Sequence, residues 1–359
     1  MNCEHKLKFS SSSRTLTKIP FLNELMGFQT IYMDLRYKFF KPNFLVLAIV
    51  GWGRQPNTYK SHRLANRLGI QFIAIEDGFL RSYATGDLSE PLSVVFDEQN
   101  IYYDSNVSSA LEILLSSEFI KEQIYATART TIKIILDHKL SKYNHGYELV
   151  IPQVGRNHNP SGYVNDKSPQ NVLLVDQTFG DMIVALGEAC EQSFENMLNA
   201  SLNENPSSTI YVKTHPEVTS GRKKGYLTHI QDSDRIVMIR ENVNPIDLIQ
   251  QMDKVYVVTS QMGFEALICG KPVVCFGVPW YAGWGLTDDR VKDSPAWARR
   301  TKNRTVEELF AAAYIHYTRY LNPFTHKRGT IMEVINWLIL QKKMVAKPFT
   351  RDFGKQKSC

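Results

Sequence analysis

The sequence of 359 residues is poor in cysteine, and its five cysteines form neither a CxxC pair nor a metal-binding spacing. An odd number of cysteines without a framework argues against a disulfide-stabilised secreted protein and favours a reducing compartment. Long apolar runs are also missing, since the longest unbroken one, Phe44–Val50, is far too short to span a bilayer. The N-terminus lacks the basic, apolar and small-residue order of a signal peptide. These absences together predict a cytoplasmic protein.

A strong charge of either sign is absent as well. The 42 lysines and arginines outnumber the 36 aspartates and glutamates only slightly, for a formal net charge of +6. This excess is not concentrated like a nucleic-acid-binding stripe, so no nucleic-acid partner is predicted. The ends are nevertheless basic, with seven Lys/Arg against three acidic residues in 1–41 and six against one in 341–359. One interpretation is that these basic ends contact an anionic inner-membrane surface or an acidic polymer. An equally good interpretation is that they are solvated tails.

The length and the 43% hydrophobic content allow two packed domains. Strand-like and helix-like segments alternate in both halves, as a parallel α/β sheet requires. Gln153–Gln170 is rich in Pro, Gly, Asn and Ser and predicts a linker, and a capping box at Thr305–Glu308 predicts a helix that continues to Tyr320. The predicted segments are a basic and aromatic lead (1–41) with a possible membrane-docking helix at 19–40, a Rossmann-like lobe (42–160), a second such lobe (170–300), C-terminal helices (301–345) and a basic tail (346–359).

Two phosphate-binding patterns follow strands of the second lobe. The apolar run Val255–Val258 ends in Thr259–Gln261, turns at Gly263 and continues as a helix. A strand, a hydroxyl-bearing turn and a helix N-terminus form an anion site, in which backbone N–H groups and the helix dipole face a phosphate. His215 follows a second apolar run, Ile210–Val212, and belongs to the same edge of the sheet. Together the patterns predict a nucleotide-sugar site.

Three further polar clusters follow predicted strands: Gly51–Arg54 and Glu76–Ser82 in the first lobe, and Asp176–Asp181 in the second. A single cluster of this kind is commonly a helix cap or an ion-paired loop. Ligands of α/β folds bind outside the carboxyl ends of the strands, and five clusters at such ends indicate one shared cleft.

The order of these motifs resembles the capsule polysaccharide biosynthesis family, in particular the KpsC-type β-Kdo glycosyltransferases of Gram-negative bacteria. The resemblance covers roughly Val46–Ile339 and is carried by GWGR, EDGFLRS, LLVDQTFGD, VKTHPEV, VYVVTSQMGFEAL and PWYAGWGLTDDR. Many members with this pattern carry two such modules in tandem, and this chain has room for one. The resemblance implies an α/β protein of the GT-B class, with two Rossmann-like lobes facing an interdomain cleft and with terminal helices. It assigns the acceptor mainly to the first lobe and the donor to the second.

The resemblance further implies an enzyme that moves the sugar acid Kdo from CMP-Kdo, with net retention, onto a Kdo-linked phosphatidylglycerol glycolipid of the capsule. It places the protein peripherally at the cytoplasmic face of the inner membrane, with other capsule synthesis and export proteins as candidate partners. A CMP-sugar has a single phosphodiester, so neither a cofactor nor a metal is expected.

The donor residues follow from a likeness of His215-Pro216 and Thr259-Ser260 to motifs of CMP-sugar sialyltransferases. His215 and the N–H groups of Ser260–Gly263 would neutralise the leaving CMP. Glu265 either binds the ribose hydroxyls or complements the helix dipole. The residues assigned to the donor are Lys213, His215, Pro216, Thr259, Ser260, Gln261, Gly263 and Glu265.

Retention requires either a nucleophilic carboxylate or a front-face route. Asp181 and Asp176 are the candidate nucleophiles. Asp181 is favoured because Gly180 lets the backbone approach a ligand closely, whereas Asp176 is also suited to holding the loop or to accepting a hydrogen bond from the nucleotide. Glu76 and Asp77 are candidates to activate or bind the acceptor hydroxyl.

Arg54, Arg81 and Gln177 complete the predicted site as substrate-binding residues. Arg54 and Arg81 would hold Kdo carboxylates or the lipid phosphate through bidentate contacts. The alternative for Arg81 is a local ion pair with Glu76 or Asp77. The aromatic cluster Trp280–Gly285 is either core packing or a ligand platform.

Two rival functions remain open at this stage. One is a capsule export or assembly factor that binds the Kdo linker without transferring sugar, against which the carboxylates argue. The other is a different nucleotide-sugar enzyme on the same fold.

Overall fold

The structure is a computed structural model that describes residues 8–32, 46–54, 58–118, 122–151 and 171–345. The chain forms two compact units. The first unit takes the residues up to Asn144 together with Gly283–Gly285 and Asp293–Met344, and the second takes His145–Ala282 and Leu286–Lys292. The predicted linker at 153–170 and the basic tail at 346–359 lie outside the described residues.

The regular elements of the described residues are numbered here in chain order. The strands are β1 (Lys8–Ser11), β2 (Thr30–Tyr32), β3 (Val46–Trp52), β4 (Gln71–Asp77), β5 (Ser93–Asp97), β6 (Asn171–Val175), β7 (Thr209–Lys213), β8 (Ile236–Ile239), β9 (Lys254–Val257), β10 (Val273–Cys275), β11 (Asp288–Asp289), β12 (Thr318–Leu321) and β13 (Arg328–Gly329). The α-helices are α1 (Leu22–Met26), α2 (Thr58–Leu68), α3 (Ala110–Ser116), α4 (Glu122–Asp137), α5 (Met182–Leu186), α6 (Glu191–Glu204), α7 (Pro216–Thr219), α8 (Pro245–Gln250), α9 (Met262–Ile268), α10 (Val306–Phe310) and α11 (Ile331–Val345). Short 3₁₀ turns occupy Leu16–Lys18 and Gly86–Leu88, and a π-helix occupies Ala311–Tyr317.

The sheet of the first unit has the order β2-β1-β3-β4-β5-β12-β13. Strands β2, β1, β3 and β4 are parallel, but β5, β12 and β13 pair antiparallel with their neighbours. The prediction of a purely parallel sheet is therefore wrong for this unit. Parallel neighbours need a long crossover, usually a helix, and the connection from β4 to β5 has only the 3₁₀ turn Gly86–Leu88.

The N-terminal segment belongs to this sheet. A docking helix was predicted over 19–40, but its described part contains only the five-residue helix α1, followed by β2. Leu22, Leu25 and Met26 of α1 are buried in the protein. The helix prediction is thus wrong over 19–32, because these apolar residues pack into the first unit. Residues 33–41 lie outside the described ranges.

The C-terminal segment also adds strands to the first sheet. The capping box at Thr305 and Glu308 is confirmed, since each side chain accepts the backbone N–H of the other residue. The predicted helix does not reach Tyr320, because the π-helix ends at Tyr317 and β12 then pairs with β5. The Tyr317 hydroxyl donates to buried Asp97 Oδ2 at 2.7 Å and fixes this change of conformation. The segment 301–345 therefore contains β12 and β13 as well as helices.

The sheet of the second unit is parallel throughout, with the order β8-β7-β6-β9-β10-β11. Numbered within this unit alone, that is the Rossmann order 3-2-1-4-5-6. The strands are almost continuously apolar, as strands covered on both faces must be, and Leu174, Val212 and Tyr256 form a core with Phe194 of α6. The predicted GT-B class, with two Rossmann-like α/β lobes, is confirmed at the level of the separate units.

The aromatic cluster Trp280–Gly285 has a structural role in both units. Trp280 and Tyr281 are buried and pack against Phe264 of α9, with ring centroids 4.6 and 6.1 Å from it. Trp284 is buried within the first unit. Of the two alternatives left open for the cluster, core packing is the one these positions support.

Candidate functional site

The ligand-binding edge of the second unit follows from its strand order. Strands β6 and β9 are neighbours, and the chain continues from β6 towards β8 on one side and from β9 towards β11 on the other. In open α/β sheets, ligands bind outside the carboxyl ends of the strands at such a switch point. The segments Asp176–Asp181 and Val258–Gln261 follow β6 and β9 and therefore lie at this edge.

Gln177 and Thr259 connect the two strand ends across the switch point. The Thr259 N–H donates to Gln177 Oε1 at 2.9 Å, and Gln177 Nε2 donates to Thr259 Oγ1 at 3.0 Å. Both side chains are buried. The Gln177 amide, predicted to contact substrate, is thus engaged within the protein, where it fixes the spacing of β6 and β9.

The turn from β9 into α9 uses several of its own donors. The Met262 N–H donates to Ser260 Oγ at 3.3 Å, and the Gly263 N–H donates to the Ser260 carbonyl at 3.0 Å. Gln261 Oε1 accepts from the Trp280 indole N–H at 3.1 Å. The Ser260 hydroxyl still has its own hydrogen to donate. A phosphate at this turn would therefore meet that hydroxyl rather than the first N–H groups of α9.

Gly263 is required by the close approach of Tyr281. A Cβ atom at Gly263 would clash with the Tyr281 hydroxyl and would lie 2.7 and 2.9 Å from two ring carbons. The same hydroxyl donates to the Ser260 carbonyl. Glu265, in the first turn of α9, is only 3% exposed. The glycine therefore allows Tyr281 to hold the Ser260 turn in place.

His215 is the N-cap of α7, and Pro216 is the first residue of that helix. Its Nδ1 accepts the Glu217 N–H at 3.2 Å, which leaves the ring proton on Nε2. Burial lowers the pKa of His215 to about 4, although the charges of Glu217 and Asp181 oppose this shift. The imidazole is therefore neutral at pH 7, and it offers a phosphate an N–H donor instead of a full positive charge.

Lys213 supplies a buried cation next to this histidine. It is the last residue of β7, is 4% exposed, and its Nζ donates to the Thr214 carbonyl at 2.6 Å. Burial lowers the pKa of Lys213 to about 8, against the opposing charge of Glu241. The lysine charge also lowers the pKa of His215, so the two groups share one environment.

Asp176 is a buried loop anchor. Its Oδ1 accepts the N–H groups of Gln177, Tyr226 and Leu227 at 2.8, 3.1 and 3.2 Å. Its Oδ2 is buried and has no hydrogen-bond partner. Burial raises the pKa of Asp176 to about 6, although the three N–H donors oppose the rise. These contacts match the loop-holding role left open for Asp176.

Asp181 is more accessible and forms the N-cap of α5. Its Oδ1 accepts the Ile183 N–H at 3.1 Å, and Gly180 before it has a φ of +77°, a conformation that favours glycine. Asp181 is half-buried, whereas Asp176 is 2% exposed. Its charge raises the pKa of His215. Of the two aspartates, Asp181 is thus the one that can meet a ligand next to His215.

Glu76 is the last residue but one of β4 in the first unit. Its Oε1 accepts the Asp77 N–H at 3.0 Å, and the Trp52 side chain also hydrogen-bonds to Glu76. Burial raises the pKa of Glu76 to about 7, the Asp77 charge adds to the rise, and Lys142 opposes it. A carboxyl group that titrates near neutral pH suits proton transfer from a hydroxyl.

Asp77 is held by cations and a hydroxyl. Its Oδ1 lies 2.7 Å from Arg81 Nε, and its Oδ2 lies 3.9 Å from Lys142 Nζ and accepts from the Tyr143 hydroxyl at 3.4 Å. Burial alone would lower the pKa of Lys142, but Tyr143 and Asp77 raise it above its ordinary value. Arg81 also donates to the Ser89 carbonyl at 3.0 Å. The local ion pair considered as the alternative for Arg81 is therefore present.

Arg54 lies near this cluster. Its Nη2 donates to Asn100 Oδ1, and its backbone N–H donates to the Tyr103 hydroxyl at 3.0 Å. Its Nε is buried without a hydrogen-bond partner. The preceding Gly53 approaches Glu76 so closely that a Cβ atom would lie 2.7 Å from Glu76 Oε2. Arg54 and Glu76 therefore belong to one polar region of the first unit.

Residues 47–320 match the family described as capsule polysaccharide biosynthesis protein. The chain belongs to this family. The match confirms the resemblance inferred from the motifs.

Two curated relatives of this family are informative. The capsule polysaccharide modification protein LipA of Neisseria meningitidis serogroup A is 44% identical over 335 residues, which cover 92% of this chain and 45% of LipA. The lipopolysaccharide-processing protein LpsZ of Rhizobium meliloti is 33% identical over 305 residues, or 84% of this chain and 66% of LpsZ. The chain thus spans about half the length of the LipA proteins that it matches.

Two solved structures are similar over most of this chain. The Thermosulfurimonas dismutans KpsC beta Kdo 2,4 transferase is 43% identical with a TM-score of 0.81, and the match covers 93% of this chain and 98% of that one. The KpsC beta Kdo 2,7 transferase of the same organism is 25% identical with a TM-score of 0.67, over 93% and 99%.

In this family member, the predicted residues form two sets. In the second unit, the predicted donor residues and the aspartates follow β6, β7 and β9 at one sheet edge. In the first unit, Glu76, Asp77 and Arg81 are in contact, with Arg54 nearby. Lys142 and Tyr143 contact Asp77 but were not predicted, since nothing in their local pattern SKYNHG marks them. Only the fold shows that they contact Asp77, which precedes Lys142 by 65 residues and Tyr143 by 66.

Among the side chains that the structure describes, no three His, Cys, Asp or Glu residues are grouped to hold a metal ion. Within the same described ranges, no helix is both long and apolar enough to cross a bilayer.

Proposed function

We propose that this chain is a β-Kdo glycosyltransferase that uses CMP-Kdo as donor. The observation that carries the proposal is the likeness to the KpsC beta Kdo 2,4 transferase, at 43% identity over 93% of this chain and a TM-score of 0.81. The Rossmann strand order of the second unit supports a nucleotide-sugar donor at the β6–β9 switch point. The proposed acceptor is a Kdo-linked phosphatidylglycerol glycolipid, which fits the family's description as capsule biosynthesis proteins.

The new linkage is proposed to be 2,4 rather than 2,7. The likeness to the 2,4 transferase is the stronger one, with a TM-score of 0.81 against 0.67 for the 2,7 transferase. Identity differs in the same direction, at 43% against 25%. The position of the glycosidic bond in the purified product, determined by NMR spectroscopy, tests this choice.

Retention is proposed to follow from two displacements at the anomeric carbon of Kdo. In the first, the Asp181 carboxylate attacks that carbon, an ester bond forms, and the bond from carbon to the phosphate oxygen breaks. CMP leaves with the electron pair. His215 Nε2–H and the Ser260 hydroxyl donate hydrogen bonds to the phosphate oxygens as their charge grows, and Lys213 adds a nearby positive charge.

In the second displacement, the acceptor hydroxyl attacks the same carbon and the ester to Asp181 breaks. Glu76 takes the proton of that hydroxyl, so the acceptor oxygen becomes nucleophilic as the bond forms. Asp77 is occupied by Arg81 at 2.7 Å and serves to set the charge around Glu76. Because protein groups supply every donor and base in this scheme, neither a cofactor nor a metal is proposed.

One assay tests the function directly. Purified protein is incubated with CMP-Kdo and a synthetic Kdo-glycolipid, and the product is detected by mass spectrometry. We expect a gain of one Kdo residue and release of one CMP. Binding of the glycolipid without any transfer would favour the export or assembly factor. Release of UDP from a UDP-hexose, with CMP-Kdo inert, would favour the other nucleotide-sugar enzyme.

Replacing His215 with serine is expected to cost on the order of 2–4 kcal/mol of transition-state stabilisation, because one preorganised donor is lost. Serine is a good N-cap and keeps the start of α7. The measurement is kcat/KM for CMP-Kdo, with thermal unfolding as a check that the variant is folded. Turnover equal to that of the wild type would show that His215 does not contact the leaving phosphate.

A peripheral position at the inner membrane is also proposed. It rests on the sequence alone, namely the basic residues of 1–41 and 341–359. Cosedimentation with phosphatidylglycerol vesicles should occur at low salt and weaken as the ionic strength rises. Protein that stays in the supernatant at every ionic strength would contradict this position.

A further inference from the structure

The segment Arg222–Lys224, called the basic loop here, is attached to the carboxyl edge of the second sheet. The Phe179 N–H donates to the Lys224 carbonyl at 2.7 Å, and Gly225 pairs with Thr178 in an isolated antiparallel bridge. Phe179 and Thr178 follow β6, so the basic loop lies beside the switch point.

Asp176 fixes one end of the basic loop. Its Oδ1 accepts the N–H groups of Tyr226 and Leu227 at 3.1 and 3.2 Å. Its Oδ2 is buried without a hydrogen-bond partner and lies against Gly225, where a Cβ atom would collide with it. A buried carboxylate thus holds the backbone of Tyr226 and Leu227, which follows Gly225 and the three cationic residues of the basic loop.

The other end of the basic loop is fixed by Glu217. The Glu217 carbonyl accepts the N–H groups of Arg222 and Lys223 at 3.0 and 3.1 Å, and its carboxylate pairs with Lys223 Nζ at 2.9 Å. Arg222 and Lys224 are exposed, and neither forms an ion pair with any residue that the structure describes. The attached loop therefore presents two exposed cations beside the switch point, with the Glu217 carboxylate within electrostatic reach of Arg222.

The basic loop is close to the proposed chemistry. The Lys223 charge lowers the pKa of His215, while the Asp181 charge raises it. The three groups therefore lie within electrostatic reach of one another at a single sheet edge. An anion that binds near His215 is also within reach of the field of the basic loop.

We propose that Arg222 and Lys224 bind a carboxylate of the sugar-acid substrate, with Asp176 as the residue that positions them. The inference rests on the proposed function, in which donor and acceptor both carry such a carboxylate. Arg222 suits it because a guanidinium binds a carboxylate through two parallel hydrogen bonds, and Lys224 adds a mobile point charge.

The test compares the double variant Arg222→Ala/Lys224→Ala with the wild type and with Lys271→Ala. Lys271 is a matched control because it precedes β10, at the amino edge of the same sheet, and its Nζ donates to the Gln250 carbonyl at 3.0 Å. We expect the KM of one sugar-acid substrate to rise roughly tenfold in the double variant, with kcat unchanged, since a charge-assisted contact is lost. Lys271→Ala should match the wild type.

Methyl esters of the donor and of the acceptor, which lack the carboxylate charge, provide a second comparison. The wild type should discriminate between acid and ester, and the double variant should lose that discrimination if the basic loop contacts the carboxylate. A higher donor KM identifies the donor carboxylate, and a higher acceptor KM identifies that of the acceptor. An equal rise in KM for the acid and for its ester would overturn the proposal. So would a double variant whose KM values equal those of Lys271→Ala. The KM of the double variant could also rise only for acceptor embedded in vesicles and not for a short-chain soluble acceptor. That result would assign the basic loop to membrane binding and would also overturn the proposal.

Failure of the proposed function gives a different outcome. If the wild type does not turn over CMP-Kdo at all, that function falls, and the basic loop is then tested by binding of free Kdo in isothermal titration calorimetry. Wild-type and Lys271→Ala proteins should bind Kdo more tightly than the double variant, by a margin that shrinks at high salt. No binding by the wild type, or equal binding by all three proteins, would overturn the proposal.

Discussion

Replacing Asp181 with asparagine is expected to lower kcat on the order of 10⁴-fold or more, as loss of a catalytic nucleophile does. The wild type supplied with CMP-Kdo but no acceptor should form a covalent ester, seen as an intact mass increased by one Kdo residue. Peptide mapping should place the added mass on the segment Asp176–Asp181. The Asp181→Asn protein should show no adduct.

The Asp181→Asn substitution should leave the local structure around Asp181 intact. Asp181 caps α5 by accepting the Ile183 N–H at 3.1 Å, and asparagine caps helices about as well as aspartate. The thermal unfolding temperature and the affinity for CMP should therefore change little, while the chemistry is lost. A large loss of stability would mean that the activity loss reports on folding rather than on the nucleophile.

Asp176→Asn is the paired variant. Asp176 accepts three backbone N–H groups through Oδ1, and an asparagine oxygen can still accept them. The amide nitrogen, however, replaces the buried Oδ2 that lies against Gly225, so we expect this variant to keep the adduct and to change mainly the order of the segment around Tyr226. An adduct that survives Asp181→Asn but disappears in Asp176→Asn would reverse the two roles. Active turnover without an adduct on either residue would exclude the two-step route and leave a front-face one.

The donor-side half of the site was predictable from local patterns. Each of β7 and β9 is a short apolar run followed at once by polar residues, and such a run in an α/β protein has its carboxyl end at the ligand edge. The Thr305 capping box was equally local and is confirmed. His215 was found in this way, but its neutral state was not, because that depends on burial and on the Glu217 N–H.

The features of the fold and of the candidate site that were not predicted depend on contacts between distant parts of the chain. The antiparallel addition of β12 to β5 joins residues more than two hundred positions apart, so no local pattern announced that Thr318 starts a strand. Likewise, Asp77 meets Lys142 and Arg81 together, and Asp176 meets Tyr226, only once the sheet is formed. Sequence patterns identified the carboxylates, and the tertiary contacts separate those that anchor a loop or an ion pair from those that can react.

Replacing Glu76 with glutamine is expected to lower kcat/KM by about 10²- to 10⁴-fold, the usual contribution of a positioned base. Glutamine can still accept the Asp77 N–H that Glu76 Oε1 accepts at 3.0 Å, so the end of β4 should stay intact. The pH profile adds a sharper test. A base must be deprotonated, so the wild-type rate should rise with pH through a midpoint of about 7, the pKa to which burial and Asp77 raise Glu76. The rate should fall again at higher pH, because burial lowers the pKa of Lys213 to about 8 and the charge that this lysine places near the phosphate is then lost.

The neighbours of Glu76 predict how that midpoint moves. Asp77 raises the pKa of Glu76 and Lys142 lowers it, so Asp77→Asn should shift the midpoint to lower pH and Lys142→Gln to higher pH. Both variants lose an ion-pair partner, so thermal unfolding must show that they are folded at the assay temperature. The rising limb of the pH–rate profile near pH 7 cannot come from His215, whose pKa is lowered to about 4 by burial.

Asp176 is a second carboxyl group of the proposed site that could imitate this behaviour, since burial raises its pKa to about 6. It lies in the other unit, and nothing described links its charge to Asp77 or Lys142. Asp176→Asn should therefore leave the limb near pH 7 in place, whereas Glu76→Gln should remove it. A limb that persists in Glu76→Gln, or that does not move in opposite directions in Asp77→Asn and Lys142→Gln, would show that another group deprotonates the acceptor. Glu76 would then be a binding residue, and the second displacement would need a base from elsewhere.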